Sequence, residues 1–520
     1  EMHENQKQMT LAKVGPRLSV DLQLARRPET LVIGVEAPPD EVFRRFSPGY
    51  HGLTLTSARG PTGSASSVWL WPASVLARNV QPRSQLLQLL SAAGVRSPEQ
   101  TTSLGRTANP TFARFEVIHL VRPARNASVT SLVRGNLLLP TRSVDGPTLD
   151  ALSQRISQFL QQRLRDDGSM AGTYWPTSDR YDPPRATAQD MALSAYAWTR
   201  RAAYLAQSSR DSQAGQAERA ACNQVFQHLC GRLLRDGDEF HPSTAALLIV
   251  TLAESADLID HKAERDALTR QMLELRSADG SFRSSPRDDA PRLNLPTQAL
   301  IVLALASLHE QTRDVKLGAM LAQSQRWLWQ QLTTSRLIET LPWLALAEFR
   351  FSSLSAVDPK SGPSRAAKVR AFESVMDALL GVQMTETPEL GPADVIGGFE
   401  LGHLSGRDAN GSSQIGWRTA QILVFLAAAL RQDELTPEDR RTSRLLACGL
   451  AARFLGQLMV DEPSAFYMRS ISDVLGGLRL SLWDNRLSVG PAAMALLATS
   501  ELQEAIAQLN LEGLRSASGH

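Results

Sequence analysis

The sequence predicts a mainly helical protein, in which a closed ring of six helical hairpins, an (α/α)6 toroid, follows a smaller α+β domain. Three observations support this fold class. From about residue 146 to residue 520, apolar residues recur with helical spacing over long segments. Short breaks rich in glycine and aspartate separate these segments. The segments also alternate between helices of mixed charge and helices that are nearly free of charge.

Six breaks mark the predicted hairpins. They fall at residues 165–170, 235–240, 278–282, 333–335, 396–399 and 475–478. A segment of mixed charge, such as 263–276, precedes each break, and we expect it on the outside of the ring, where one helix face meets water. A segment of small apolar residues, such as 419–430, follows each break, and we expect it on the inside, where neighbours contact it on most sides.

The ring is expected to be closed. An open array of helical repeats needs polar capping repeats at its two ends. The last hairpin is about as apolar as the middle ones, for example at residues 492–497. The pattern therefore favours closure of the last hairpin on the first.

The break at residues 276–282, with the sequence Arg-Ser-Ala-Asp-Gly-Ser-Phe, resembles the repeat motif of the terpenoid-cyclase and prenyltransferase-like toroids. In that motif a glutamine precedes Asp-Gly-Ser-Trp, and Arg276 and Phe282 stand at the glutamine and tryptophan positions. The resemblance, like that to the glycosidase-type helical rings, implies the ring fold. It does not imply cyclase activity, because the acidic Asp-x-Asp-Asp and Asp-Asp-x-x-Asp motifs are absent and aromatic residues make up only 6% of the chain.

The smaller domain is expected over residues 1–145. Its pattern predicts strands at 31–36, 52–56, 67–71 and 112–121 and a helix at 83–93. The segments Val-Glu-Ala-Pro-Pro, Gly-Tyr-His-Gly-Leu, Trp-Leu-Trp-Pro and Ala-Arg-Phe-Glu, in this order, resemble the latter half of the AMMECR family domain over about residues 30–120. The resemblance implies a fold and no catalytic residue, because the family's Arg-Gly-Cys-Ile-Gly segment is absent and Ala92 replaces its Lys-Ala-Gly lysine.

Composition excludes several partners and sites. With 55 basic and 53 acidic residues, the chain has no net field that would attract nucleic acid, and its apolar runs are too short for a transmembrane segment. No metal or other cofactor is expected, because the zinc-protease, Cys-x-x-Cys and Walker motifs are absent. A cytoplasmic location is favoured, and an exported form stays open because the sequence begins with Glu1 rather than methionine.

The loops that lead into the inner helices are expected to gather at one mouth of the ring and to carry its chemistry. The first loop is the richest in polar and aromatic residues, although its aspartates and prolines also favour turns. The predicted catalytic residues are Asp179, Tyr181, Asp182, Glu339 and Asp408. The predicted substrate-binding residues are Tyr174, Trp175, Arg180, His241, His403, Trp417, Arg418, Arg479 and Asp484.

These residues allow two classes of function. The first is a carbohydrate-active enzyme, in which two carboxyl groups act as acid and base in a glycoside hydrolase, or a tyrosine beside an arginine acts in a polysaccharide lyase. Its ligand would be an oligosaccharide or another small polar molecule. The second is a non-catalytic binding or scaffold protein, for which a protein partner stays open. The sequence alone does not choose between them.

Overall fold

The fold is taken from a computed structural model of the chain. The structure describes residues 20–31, 47, 49–57, 66–79, 82–92, 111–122, 128–142, 144–209, 213–234, 241–255, 260–287, 290–352, 363–389, 391–401 and 415–518. The predicted strand at 31–36, apart from Leu31, and the predicted site residues His403 and Asp408 lie outside these residues.

An antiparallel sheet occupies the first part of the described chain. Its strands are β1 (Val20–Leu31), β2 (His51–Ser57), β3 (Ser66–Leu70), β4 (Thr111–Arg122) and β5 (Thr130–Leu132). The strand order is β1-β4-β2-β3, and β5 pairs with the end of β4. Helices α1 (Pro72–Arg78) and α2 (Pro82–Ala92) follow β3. The structure thus confirms the strands predicted around 52–56, 67–71 and 112–121 and the helix predicted at 83–93.

One face of this sheet has its own small core. Leu53, Leu55 and Phe112 point to the same side, where they form a buried cluster with Leu89 and Leu90 of α2. This arrangement follows from the period of two along a strand, which places alternate residues on one face. Strand β1 was not predicted, because charged residues interrupt its apolar alternation.

Six hairpins form the helical part, each with an outer helix followed by an inner one. They are α3 (Gly146–Arg163) with α4 (Ala188–Ser208), α5 (Gln216–Leu234) with α6 (Pro242–Glu254), α7 (Lys262–Glu274) with α8 (Leu295–Thr312), α9 (Val315–Gln330) with the short α10 (Thr334–Thr340) and α11 (Trp343–Ser352), α12 (Arg365–Gly381) with α13 (Thr419–Leu430), and α14 (Glu438–Leu458) with α15 (Val489–Ser518).

The inner helices close into a ring. Each packs on the next in the order α4, α6, α8, α11, α13 and α15, and α15 packs back on α4. Residues beyond the first turns of all six helices line one opening, the C-terminal mouth, and their first turns define the opposite N-terminal mouth. The predicted (α/α)6 toroid is therefore the observed fold.

Burial separates the two sets of helices as the charge pattern predicts. Every residue of the inner helix α13 except the half-buried Gln421 is buried, including its polar first residue Thr419. In the outer helix α7 only Leu268 and Met272 are buried. The difference follows from position, because an inner helix has neighbours on most sides and an outer helix packs through one stripe.

Four of the predicted breaks are glycine turns that bind the next outer helix. Their glycines have positive φ, which a side chain disfavours: Gly168, Gly280, Gly397 and Gly476. A Cβ atom at these positions would lie within 2.8 Å of a main-chain carbonyl oxygen, contributed in turn by Gln224, Gln323, Leu450 and Arg155. Because Arg155 belongs to α3, the last turn closes the ring on the first hairpin.

Buried polar side chains join residues 128–142 to the ring. Asn136 donates from Nδ2 to the carbonyl oxygens of Gln457 and Met459, at 2.8 and 3.0 Å. Gln457 donates in return from Nε2 to the Leu137 carbonyl oxygen at 2.6 Å. Since buried polar groups need partners, these reciprocal bonds fix the position of the segment on α14.

In the part of the chain that the structure describes, no helix is long and apolar enough to cross a membrane. Among the same residues, no group of three or more acidic, histidine or cysteine side chains could hold a metal ion. The three cysteines, Cys222, Cys230 and Cys448, are free and buried.

Candidate functional site

Three of the loops that lead into inner helices meet at the N-terminal mouth. Tyr174 of the first loop exchanges two main-chain hydrogen bonds with Leu487 of the sixth, with N···O distances of 2.8 and 3.0 Å. The main-chain N–H of Trp417, at the end of the fifth loop, donates to the carbonyl oxygen of Leu480 at 3.1 Å. Loops that are far apart in the sequence therefore form one rim.

The first loop is a small hairpin built around two tyrosines. Its strands are β6 (Tyr174–Trp175) and β7 (Arg180–Tyr181). The Tyr174 hydroxyl donates to Asp179 Oδ1 at 2.6 Å, and the two tyrosine ring centroids lie 4.9 Å apart. Burial raises the pKa of both tyrosine hydroxyls, so both stay protonated at neutral pH.

Arg163 supports this hairpin from below. It is buried at the end of α3, and its guanidinium lies 5.0 Å from each tyrosine ring centroid. It also donates to the Tyr181 hydroxyl and to the main-chain carbonyl of Asp473. A tyrosine beside an arginine was predicted for this loop. The arginine in this position comes instead from an outer helix, where the sequence does not distinguish it from other surface arginines.

Trp175 carries charged residues on its flanks. Arg180 lies 5.1 Å from its ring centroid and Arg486, from the sixth loop, lies 5.2 Å away. Asp484 binds Arg486 at 2.5 Å and Asp182 faces Arg180 at 3.8 Å. The first and sixth loops thus place an indole, two guanidinium groups and two carboxylates together. The use of Trp175, Arg180, Asp182 and Asp484 as site residues stays a prediction, and Arg486 was not among the predicted residues.

Asp190 lies beside this rim and was not among the predicted site residues. It belongs to the first turn of α4, where Thr187 Oγ1 donates to its Oδ2 at 2.8 Å. Its other carboxylate oxygen sits over the first turn of α15, since a Cβ atom on Gly490 would lie only 2.1 Å from Oδ1. Burial between the two inner helices raises the pKa of Asp190.

The remaining predicted residues have different surroundings. His241 is exposed before α6, Glu339 is half-buried on α10, and Arg418 is exposed next to the half-buried Trp417. Arg479 is buried, and its guanidinium donates to the carbonyl oxygens of Arg134 at 2.9 Å and Gln457 at 3.1 Å. Arg479 therefore binds residues 128–142 to the ring, and its use by a substrate stays a prediction.

The C-terminal mouth holds a cavity of about 680 Å³ that all six inner helices line. Its walls carry charged residues at different points along these helices: Arg200 of α4, Glu254 at the end of α6, Glu310 of α8, Arg350 of α11, Arg431 directly after α13, and Glu501 and Glu504 in the middle of α15. Arg200 binds Glu501 at 2.8 Å and Glu254 at 3.0 Å, and Glu254 also binds Arg350 at 2.6 Å. Arg431 binds Glu504 at 2.7 Å.

The two carboxylates of α15 in this cavity differ in proton affinity. Burial works against ionisation of Glu501, but the guanidinium groups of Arg200 and Arg431 outweigh it and hold the pKa at about 2. Burial, together with the neighbouring Glu501 carboxylate, raises the pKa of Glu504. Arg350 also lies 3.7 Å from Glu310 of α8, so this network of opposite charges ties all six inner helices together. A sequence signal existed, since isolated charges recur in otherwise apolar inner helices.

Comparison with known proteins gives structural neighbours only. No family model matches the chain, and no curated protein matches it either. The resemblance to the AMMECR family over about residues 30–120 and that to the terpenoid-cyclase repeat motif therefore stay predictions.

Several solved structures are similar to the helical ring. The GH76A alpha-1,6-mannanase of a Salegentibacter species has 9% identity and a TM-score of 0.48, over 69% of this chain and 99% of its own. Cellobiose 2-epimerase from Bacillus thermoamylovorans has 10% identity and a TM-score of 0.47, over 69% and 100%. An unsaturated glucuronyl hydrolase from Streptococcus agalactiae has 11% identity and a TM-score of 0.46, over 70% and 93%. Similarity at this level does not transfer an activity.

Proposed function

We propose that this protein is a carbohydrate-active toroid that binds an oligosaccharide at its N-terminal mouth and uses Asp190 as its proton donor. The observation that carries the proposal is the half-buried carboxyl group of Asp190, which lies at the seam between the first turns of α4 and α15, where desolvation raises its pKa. A carboxyl group whose pKa is raised by burial stays protonated up to a higher pH than an exposed one. A general acid must be protonated before it can donate.

The rim supplies groups that suit a sugar. Trp175 places an indole at the rim, and the Tyr181 hydroxyl is a protonated donor, whereas the Tyr174 hydroxyl already donates its proton to Asp179. Arg180 and Arg486 add further donors for hydroxyl or carboxylate groups of a substrate. A site for a hydrophobic ligand would have mainly apolar walls with few charged groups. The rim instead combines an indole with charged and hydroxyl groups, which favours a polar ligand.

A second carboxylate is needed for hydrolysis. Asp182 is our candidate for the base, because its carboxylate is 61% exposed and lies on the same loop as Trp175. Asp179, Tyr181, Glu339 and Asp408 stay as further predicted catalytic residues. Asp179 is the least available of the first loop, since its carboxylate already accepts the Tyr174 hydroxyl.

The test begins with binding and continues with turnover. Thermal shift against a panel of neutral and acidic oligosaccharides identifies a ligand, because a ligand that binds the native state raises its melting temperature. Mass spectrometry of the bound sugars after incubation then detects hydrolysis or elimination. We expect Asp190→Asn to bind the same sugar and to lose turnover by roughly 100-fold or more, as removal of a general acid does.

The control is Asp166→Asn, which changes an exposed aspartate of the turn after α3. It should keep both binding and turnover. Full turnover by Asp190→Asn would remove this residue from the mechanism. A sugar that raises the melting temperature but is never turned over would favour the alternative of a non-catalytic binding protein. If no sugar raises the melting temperature, the carbohydrate proposal is overturned altogether.

A further inference from the structure

We propose that the sheet carries a second sugar-binding surface, an aromatic platform formed by Trp69, Trp71 and Phe115, which holds a neutral polysaccharide chain. The choice of a sugar rests on the proposed function of the ring. The surface itself rests on an independent observation: Trp69 is 52% exposed, although a tryptophan side chain is among those that gain most from burial.

The platform is rigidly supported. The rings of Trp69 and Trp71 are nearly parallel, with an interplanar angle of 20° and centroids 6.3 Å apart. The buried ring of Phe115 lies 5.2 Å from each of them. Phe115 can occupy this position because its strand partner is Gly52, on which a Cβ atom would lie 2.0 Å from the ring. The indoles are therefore held in place before any ligand binds, which lowers the entropy cost of binding.

Hydroxyl groups run beside the indoles on the same face. Ser67, Trp69 and Trp71 alternate along one side of β3, while Thr54 pairs with Trp69 and Thr56 with Ser67 across the sheet. Thr54 is buried, Thr56 is half-buried and Ser67 is exposed. The hydroxyls within reach of a ligand are therefore Thr56 Oγ1 and Ser67 Oγ, which lie 3.0 Å apart. The opposite face carries the leucines that pack on α2, so the stability of the small core does not require the platform.

A pyranose ring matches this arrangement. One face of the sugar presents C–H groups that pack on an indole, and its edge presents hydroxyls that can bond to serine and threonine. The row of Thr54, Thr56, Ser67, Trp69 and Trp71 contains no charged side chain. The structure therefore favours a neutral sugar chain over a uronic acid polymer at this surface.

The platform is connected to the rim of the ring. Helix α1 begins directly after Trp71, and Asn485 of the sixth loop donates from Nδ2 to the carbonyl oxygen of Leu76 in α1 at 2.9 Å. Asn485 also donates from its main chain to Asn79 Oδ1 at 2.7 Å. Its neighbours Asp484 and Arg486 belong to the Trp175 cluster. A chain held on the platform would thus be tethered close to the mouth at which we propose catalysis.

Affinity electrophoresis tests the platform. The protein is run in native gels that contain a neutral mannan, xylan or β-glucan, or an anionic polygalacturonate, at several concentrations. We expect at least one neutral polymer to retard the wild type, and Trp69→Ala to weaken the apparent association constant about tenfold, as the loss of one aromatic contact does. Trp69→Ala should keep its melting temperature within a few degrees, since half of the side chain is already exposed.

The matched control is Leu87→Ala, which removes a 39%-exposed apolar side chain from α2, outside the aromatic platform. It should leave the retardation unchanged. The platform is refuted if no neutral polymer retards the wild type, if only polygalacturonate does, or if Trp69→Ala migrates like the wild type. Self-association of the wild type that Trp69→Ala abolishes would identify the surface as a contact between copies and would also refute the proposal.

The two proposals can fail separately. Asp190→Asn should be retarded like the wild type while it loses turnover, and Trp69→Ala should turn over a short oligosaccharide normally while it acts more slowly on the polymer. Retardation that depends on Trp69 in a protein with no turnover would keep the platform and overturn catalysis at the ring. Turnover in a protein whose retardation does not change with Trp69→Ala would keep catalysis at the ring and overturn the platform.

Discussion

His51 shows how a single buried residue couples the sheet to pH. It lies at the start of β2 with 7% of its surface exposed, and its Nδ1 accepts a hydrogen bond from the main chain of Ser47 at 2.8 Å. Burial, with a contribution from the guanidinium groups of Arg114 and Arg134, lowers the pKa of His51 from its ordinary 6.5 to about 4. The folded protein therefore holds this imidazole neutral at pH values where the unfolded chain protonates it.

We therefore predict that the folded state loses stability at pH values above those at which exposed carboxylates take up protons. As the pH falls from 6.5 towards 4, unfolding takes up a proton at His51, so the free energy of unfolding decreases, by at most about 3 kcal/mol. His51→Asn keeps an acceptor near the Ser47 amide and cannot titrate, so its stability should change less over this window. Urea denaturation at pH 7.5, 6.0 and 4.5 measures both slopes, and equal slopes would contradict the assignment.

Among single residues, the sequence pointed to some members of the candidate site and not to others. Tyr174, Trp175 and Asp182 were predicted because polar and aromatic residues stand out in a loop between apolar segments. Arg163 and Asp190 lie within helices, where an arginine looks like part of a wet face and an aspartate like a helix start. Only the packing of α3 against the first loop and of α4 against α15 brings these two residues to the candidate site.

Among the elements, the glycine turns were the most predictable, and the structure explains why they recur. In the turns at 167–169 and 279–281 the aspartate Oδ1 accepts both the N–H and the hydroxyl of the serine two residues later, at 2.6 to 3.0 Å. A glutamine of the next outer helix, Gln224 or Gln323, then donates to a carbonyl oxygen of the turn. The repeated turn is thus a repeated joint between neighbouring hairpins.

Gly280→Ala should weaken one such joint. Its φ of +95° disfavours a side chain, and the new Cβ would lie 2.8 Å from the Gln323 carbonyl oxygen, against main-chain atoms that cannot easily move. We expect a loss of about 1–3 kcal/mol in the free energy of unfolding, measured by urea denaturation.

Gly381→Ala is the matched control for this turn, because a Cβ atom there meets nothing within 4 Å and its φ is not positive. It should be neutral or slightly stabilising, since alanine restricts the unfolded chain more than glycine does. Equal stability of the two variants would mean that the turn at Gly280 relaxes freely and does not act as a joint.

At the scale of the whole molecule, hydrophobic periodicity predicted the ring, because each inner helix must bury all its sides. It could not predict how the sheet attaches to the ring. That attachment depends on pairs such as Asn136 and Gln457, which are more than 300 residues apart and look like ordinary polar residues in the sequence. Nor could it predict that charged residues of the inner helices pair with one another at the C-terminal mouth, since this depends on the register between six helices.

Arg453 tests whether this attachment is a separate cooperative unit. The side chain is buried on α14 and donates to the carbonyl oxygens of Leu139 at 2.7 Å and Pro140 at 3.0 Å. It also donates to those of Asp394 and Ile396, at 3.1 and 3.0 Å. Arg453→Met keeps most of the apolar stem but leaves these buried acceptors without their donor, at a cost of about 1–3 kcal/mol for each group that finds no water.

We expect Arg453→Met to release residues 128–142 while the ring stays folded. Hydrogen exchange measured by mass spectrometry should become at least about tenfold faster in peptides covering Asn136 and Leu139, whose amides are hydrogen-bonded in the native state, and unchanged in α8 and α13. Arg440→Met, an exposed arginine of the same helix, should leave both regions unchanged. Faster exchange throughout the ring would instead show that sheet and ring unfold as one unit, because loss of the attachment then destabilises every hairpin together.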